Sequence, residues 1–235
     1  MYGYGYYGWG MDPTILLLVI GMLLSLAASA KLRSTFAVYK KVRSHSGITG
    51  AEAAQRILRA AGITDVQAAP IRGSLTDHYD PRTKTVSLSE DIYGRNSLAA
   101  VGVAAHECGH AIQDAINYAP LNIRSAIVPA ANIGSQLSWP LFIAGLIFSI
   151  DPLVTLGIVL FSLAVLFQLV TLPVEINASS RALKMLESTG ILGADEKKGA
   201  RKVLTAAALT YVAALAASIL QLLRLIILAG GRDRD

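Results

Sequence analysis

Ala104 to Gln113 reads A-A-H-E-C-G-H-A-I-Q, and the organisation of the chain follows from it. Within it stands H-E-x-x-H: His106, Glu107, Cys108, Gly109, His110. On a helix, residues four apart share one face, so both imidazoles project together, one turn apart. Two neutral imidazoles so placed can share one Zn²⁺ at about 2.1 Å each. Glu107 is rotated about 100° from His106 on a 3.6-residue turn. Its carboxylate then stands beside the metal position, where it can take a proton from an activated water. Cys108 faces away on the same geometry and reads as packed core.

The chain has 235 residues, 53% of them hydrophobic and 16% charged. A soluble domain carries about 25% charged residues. The mean hydropathy of +0.49 agrees, so the composition is that of a membrane protein. One cysteine excludes an intrachain disulfide. The net charge of +5 gathers beside apolar runs rather than in a basic-aromatic surface, which argues for membrane flanks and against nucleic acid.

Residues 1–13 open with a glycine–aromatic tail, M-Y-G-Y-G-Y-Y-G-W-G, suited to a headgroup region or to no regular structure. Residues 14–30 are apolar and uncharged, and no positive n-region precedes them, so they are expected to form a retained transmembrane helix. Lys31, Arg33, Lys40, Lys41 and Arg43 follow, which predicts a cytoplasmic flank and an outside N-terminus. Residues 31–124 read as a cytoplasmic domain. Thr49 and Glu52 form a T-x-x-E capping box for a helix over 49–61, with Gly62 as its stop. Short strands and turns are expected over 63–89, with a turn at Asp80-Pro81. The strand just before the H-E-x-x-H helix is a candidate edge for holding an extended peptide. The helix itself is expected from Ser97 to about Asn117, and Pro120 breaks the pattern. Residues 131–172 predict a transmembrane hairpin, its first span beginning near Ile133 and its outer turn at Asp151-Pro152. Residues 173–202 are polar and basic and belong inside. Residues 203–229 make a last span, with Arg224 able to snorkel near its end. Both termini then lie outside.

A catalytic Zn²⁺ takes three protein ligands and keeps one open position. A third histidine six residues after His110 would complete a metzincin motif, but that position is Ile116, and no histidine follows His110. The remaining ligand is therefore expected to be a carboxylate. Asp114 lies one turn further along the same helix, Asp151 at the outer tip, and Glu187, Asp195 and Glu196 in a solvated stretch. Glu175, in L-P-V-E-I-N-A-S-S-R-A, fits best. Two crossings separate it from His110 and return it to the same side. A helix N-terminal acid after Pro173 is the other reading of Glu175.

H-E-x-x-H, a membrane hairpin, then E-x-x-A over Glu175 to Ala178 resembles HtpX-like and CAAX-prenyl membrane proteases. Those families place an aspartate after the alanine, where this chain has Ser179. The chain is more similar to the YugP-type neutral zinc metallopeptidases of bacterial membranes. The phrases that carry this are D-H-Y-D-P at Asp77 to Pro81, L-S-E-D-I-Y at Leu88 to Tyr93, the H-E-x-x-H stretch, and E-I-N-A-S-S-R-A at Glu175 to Ala182. The resemblance implies a multi-pass, mainly α membrane protein: four transmembrane helices with a small α+β zincin-like (gluzincin) domain. It also implies a zinc endopeptidase acting on peptides or membrane proteins, with His106, His110 and Glu175 on Zn²⁺ and Glu107 as general base.

His78 or Tyr79 is a candidate oxyanion donor, or shapes the turn before Pro81. Asn177 and Ser179, about one turn from Glu175, are candidates to orient the ligands. Arg181 suits an acidic partner or lipid headgroups. The rival classes are an inactive membrane scaffold keeping a structural metal, which would close the fourth position with a protein ligand, and a transporter, which would carry ionisable groups inside its spans.

Overall fold

A computed structural model describes residues 12–230. The glycine–aromatic tail lies almost entirely outside the described residues. In chain order the elements are α1 (Ile15–Tyr39), α2 (Gly50–Ala60), β1 (Gln67–Ile71), β2 (His78–Asp80), β3 (Thr85–Ser89), α3 (Leu98–Ala115), α4 (Ala119–Ile147), α5 (Asp151–Ser188) and α6 (Ala194–Gly230). The contacts divide the chain into two units: 27–128 with 167–212, and 1–26 with 129–166 and 213–235.

The first unit carries the sheet and the H-E-x-x-H helix. The capping box forms as the sequence predicts: Glu52 N–H donates to the Thr49 hydroxyl, and Thr49 N–H donates to the Glu52 carboxylate. Gly62 ends the helix at φ 73°, a left-handed position that glycine occupies without strain. The sheet order is β1-β3-β2, with β1 parallel and β2 antiparallel to β3. The strand just before α3 is therefore central, not an edge, because the chain returns through β2 on its far side. The edge available for peptide pairing near α3 is β2.

Ser97 caps α3, its hydroxyl accepting from Ala100 N–H. The first turns of α3 are almost all small: Ala99, Ala100, Ala104 and Ala105 are fully buried, as is Cys108. They pack with Ile57 of α2, Val86 and Leu88 of β3, and Leu186 and Val203 from the flanking helices. Small side chains let neighbouring backbones approach closely. The tightest approach along α3 is at Gly109, whose position for a Cβ lies 2.5 Å from the carbonyl oxygen of Ala178 on α5.

In the second unit α4 and α5 form a hairpin around Phe142 and Val154, with Leu225 of α6 joining them. Gly157 meets Phe142 and the Ser138 carbonyl, again an interface of small residues. Outward positions such as Leu23, Leu26, Ile147 and Phe148 are exposed, as a lipid-facing surface requires. Arg224 does more than snorkel: its guanidinium meets Asp12 at 3.9 Å and donates to the Thr14 hydroxyl.

Three described helices, α1, α5 and α6, are long and apolar enough to cross a membrane. α4 is long enough at 29 residues, but Asn132, Ser135, Gln136 and Ser138 dilute its apolar character. It starts at Ala119, and Pro120 falls in the first turn, where a missing N–H breaks no helical bond. Pro173 likewise does not end a helix: α5 continues through it to Ser188. Glu175 is thus mid-helix, and the reading of it as a helix N-terminal acid is overturned.

Candidate metal centre

The separation of His106 and His110 by one helical turn sets their rings 4.8 Å apart and nearly perpendicular. α5 brings Glu175 against both. Its Oε2 lies 3.2 Å from His106 Nε2 and 3.5 Å from His110 Nε2. Donors each about 2.1 Å from a tetrahedral zinc stand roughly 3.4 Å from one another. The two distances bracket that value. The three residues are also a group whose ligand atoms all lie within 4.8 Å of one another. A carboxylate with a side chain only 3% exposed, facing two imidazole nitrogens, has the donor chemistry of a zinc site.

Each donor is held from behind. Ser179 Oγ lies 3.1 Å from His106 Nδ1, leaving Nε2 for the metal position. Gln113 Oε1 lies 3.0 Å from His110 Nδ1, and its amide donates to the Val174 carbonyl and to Asn177 Oδ1. Asn177 also accepts from Arg181 Nε at 2.7 Å. Arg124 Nη1 reaches Glu175 Oε1 at 3.3 Å, so one carboxylate oxygen is anchored while the other faces the histidines. The small residue at 109 matters here, since His110 and Glu175 belong to the two helices that meet there.

Burial would by itself keep His110 neutral. The Glu175 and Glu107 carboxylates and the Gln113 bond outweigh it and raise its pKa above the ordinary histidine range. Burial pushes the Cys108 thiol up, and its Sγ lies toward the Ala54 carbonyl, away from the histidines. Glu107 is buried and lines a cavity of about 250 Å³ together with His106, His110, Glu175, Arg124 and Tyr211. Asp77, His78 and Tyr79 line it from the sheet side. Asp77 accepts from the N–H and hydroxyl of Ser89, and its burial raises its pKa despite those bonds.

The two candidate oxyanion donors differ in placement. Tyr79 gives its hydroxyl to Asp114 at 2.7 Å, which also pairs with Lys84. His78 Nδ1 lies 2.9 Å from the Thr76 carbonyl at an exposed position. Three site residues escape a sequence reading. Gln113 sits one turn beyond His110 on the motif helix, and that spacing is a usable signal. Arg124 and Tyr211 reach the cavity only through the fold, from the start of α4 and the middle of α6.

A family model described as "Putative neutral zinc metallopeptidase" matches residues 14–230. The chain is also 48% identical over 222 residues to a protein of Bacillus subtilis (strain 168) named "Putative membrane protease YugP", covering 94% of this chain and 99% of that one. No solved structure matches the chain.

Proposed function

This chain belongs to the neutral zinc metallopeptidase family, and from that premise we propose that it is a membrane-embedded zinc endopeptidase of the gluzincin type. The observation that carries the reading is the convergence of His106, His110 and Glu175 beside the buried carboxylate of Glu107. Zn²⁺ held by these three would lower the pKa of a water toward about 7 and polarise a peptide carbonyl. Glu107 takes a proton from the attacking water and returns it to the leaving amine. Arg124 and Ser179 hold Glu175 and His106 in their donating orientations, and Gln113 does so for His110. Tyr211 lines the same cavity and its hydroxyl bonds to Glu175 beside the metal position, so it is proposed as oxyanion donor over Tyr79, whose hydroxyl is held by Asp114. The β2 edge beside the cavity suits an extended peptide.

The substrates proposed are membrane-proximal peptide segments. An apolar recess next to Glu107 is walled by Leu32 and Phe36 of α1 and by Val203, Leu204 and Ala207 of α6. Leu32 lies two residues past the apolar run of α1, and Val203 opens that of α6, so the recess lies at the level where the spans begin. We assign α4 as a fourth span, with the catalytic domain in the cytoplasm of a bacterial cell membrane and both termini outside. Three protein donors, with no fourth His, Cys, Asp or Glu grouped with them among the described residues, favour catalysis over a structural metal in an inactive scaffold.

Glu107→Gln tests the assignment. The variant is expected to bind zinc as the wild type does and to lose cleavage of casein or a membrane substrate by at least about a hundredfold. Retained cleavage would overturn the proposed chemistry.

A further inference from the structure

We infer that the groove between the C-terminal half of α1 and the N-terminal part of α6 is a binding site for the headgroup of an anionic phospholipid. Lys31, Ser34, Thr35, Val38 and Tyr39 line one wall. Their spacing, i, i+3, i+4, i+7 and i+8, is a single helix face. Arg201, Lys202, Thr205, Ala206 and Leu209 line the other. The space between is about 530 Å³. Along α1 it runs about 12 Å, since each helical residue rises about 1.5 Å.

Three features select the ligand. The first is charge: three cations and no acid line the groove. The neighbouring lysines are already paired, Lys197 with Glu187 and Lys198 with Asp195. Among the described residues no carboxylate pairs with Lys31, Arg201 or Lys202. Lys202 instead lies 6.0 Å over the ring of Tyr39, which leaves ammonium protons for a further acceptor. The second feature is the layering of the lining. Hydroxyls of Ser34, Thr35 and Thr205 stand among the cations, while Val38, Ala206 and Leu209 supply apolar wall. A phosphate diester with attached acyl chains matches both; a free inorganic anion matches only the first. The third is depth. Lys31 ends the apolar run of one span, and Lys202 immediately precedes the apolar run of another. Both walls therefore meet the bilayer at its headgroup layer, where anionic lipid is attracted by clustered Lys and Arg. The inference is independent of the peptidase reading, because no residue of the groove belongs to the metal centre.

The test offers purified full-length protein, in neutral detergent, phosphatidylglycerol and phosphatidylcholine with the same acyl chains, and counts retained lipid by native mass spectrometry. The wild type is expected to prefer phosphatidylglycerol by at least about tenfold, since each cation near an anionic surface is worth roughly fivefold in affinity. The triple variant Lys31→Gln, Arg201→Gln, Lys202→Gln is expected to lose that preference. The double variant Lys197→Gln, Lys198→Gln, which removes the paired lysines, is expected to keep it. Equal retention of the two lipids by the wild type overturns the inference. So does a preference that survives in the triple variant, or one that falls as far in the double variant. If the triple variant does not fold, Lys31→Gln and Lys202→Gln alone, both at exposed positions, carry the test. Each should weaken the preference by roughly fivefold, and no change in either refutes the site.

Discussion

Replacing Gly109 by alanine probes the contact that joins the two halves of the metal centre. A Cβ at 109 would stand 2.5 Å from the carbonyl oxygen of Ala178 and 3.1 Å from its carbonyl carbon and Cα. These are backbone atoms, so no change of rotamer relieves the overlap. Ordinary contact begins near 3.4 Å, and α3 and α5 must separate locally by roughly 0.9 Å, an overpacking that costs about 1–3 kcal/mol. Alanine returns about 1 kcal/mol of helix propensity relative to glycine, so net stability should fall by only about 0–2 kcal/mol. The effect on metal should be larger than that on folding. Gly109 adjoins His110, and Ala178 lies one turn beyond Glu175. Any separation of the helices at 109 therefore parts the histidines from the carboxylate, whereas metal–ligand distances tolerate only about 0.2 Å. Zinc affinity is expected to fall by at least about tenfold, comparable to the loss of an orienting partner. Zinc content, measured on purified protein equilibrated at graded free zinc, reads the first effect, and thermal unfolding with and without zinc reads the second. Gly94→Ala is the control, since nothing lies within 4 Å of its Cβ position. Wild-type zinc affinity in Gly109→Ala, with an unchanged or raised melting temperature, would refute the argument.

Three further variants test separate parts of the centre. Glu175→Ala should strip the protein of stoichiometric zinc while leaving α5 helical by circular dichroism; unchanged metal content would move the third donor elsewhere. Gln113→Leu removes the fully buried amide that links His110, the Val174 carbonyl and Asn177. It should lower zinc affinity by about 10–100-fold and destabilise the protein by about 1–3 kcal/mol, read from metal titration and thermal melts. Asp114→Asn tests a pH dependence. Burial raises the Asp114 pKa, but bonds from Lys84 and Tyr79 outweigh it and hold the carboxyl below the ordinary aspartate value. A depressed carboxylate stabilises the fold above its unfolded pKa, and that contribution is lost as pH falls through the folded value. Wild type should therefore melt about 2–4 °C above Asp114→Asn at pH 7, an effect kept small by the partial exposure of Lys84, and the gap should close below about pH 3.8. A gap that persists at low pH would assign the difference to packing.

Local rules carried the local features of this chain. Thr49 and Glu52, Gly62, and Ser97 with the H-E-x-x-H spacing each encode their geometry within a turn, so helix limits and the pairing of His106 with His110 were legible. The approach of Glu175 was legible for a different reason: it is the acid that directly follows an apolar run, whereas the other candidates lie further along the motif helix, at the hairpin tip or in a solvated stretch. Proline misled the reading at Pro173, whereas the break expected at Pro120 is real, since α3 ends at Ala115 and α4 begins at Ala119. The cost of a proline depends on position and on what surrounds it: in a first turn there is no bond to lose, and in a long packed helix neighbouring contacts keep the axis intact. Arg124, Tyr211 and the central place of β3 were not legible, because each is fixed by chain return rather than by neighbours in sequence.

The Ser179 position shows how such a site accommodates a change of residue. An aspartate at this position would both orient His106 and add negative charge beside it. Ser179 keeps the orientation, with Oγ 3.1 Å from His106 Nδ1, and gives up the charge. Arg124 on Glu175 Oε1 works in the same direction, drawing electron density from the third donor. Both features reduce the negative charge around the metal position, which leaves a bound zinc more electrophilic and its water more acidic. Ser179→Asp should therefore raise zinc affinity and shift the acidic limb of the pH–rate profile upward, whereas a purely structural serine would lose affinity on the same change. A variant that binds zinc less tightly than the wild type, with an unmoved pH profile, would show that Ser179 serves packing alone.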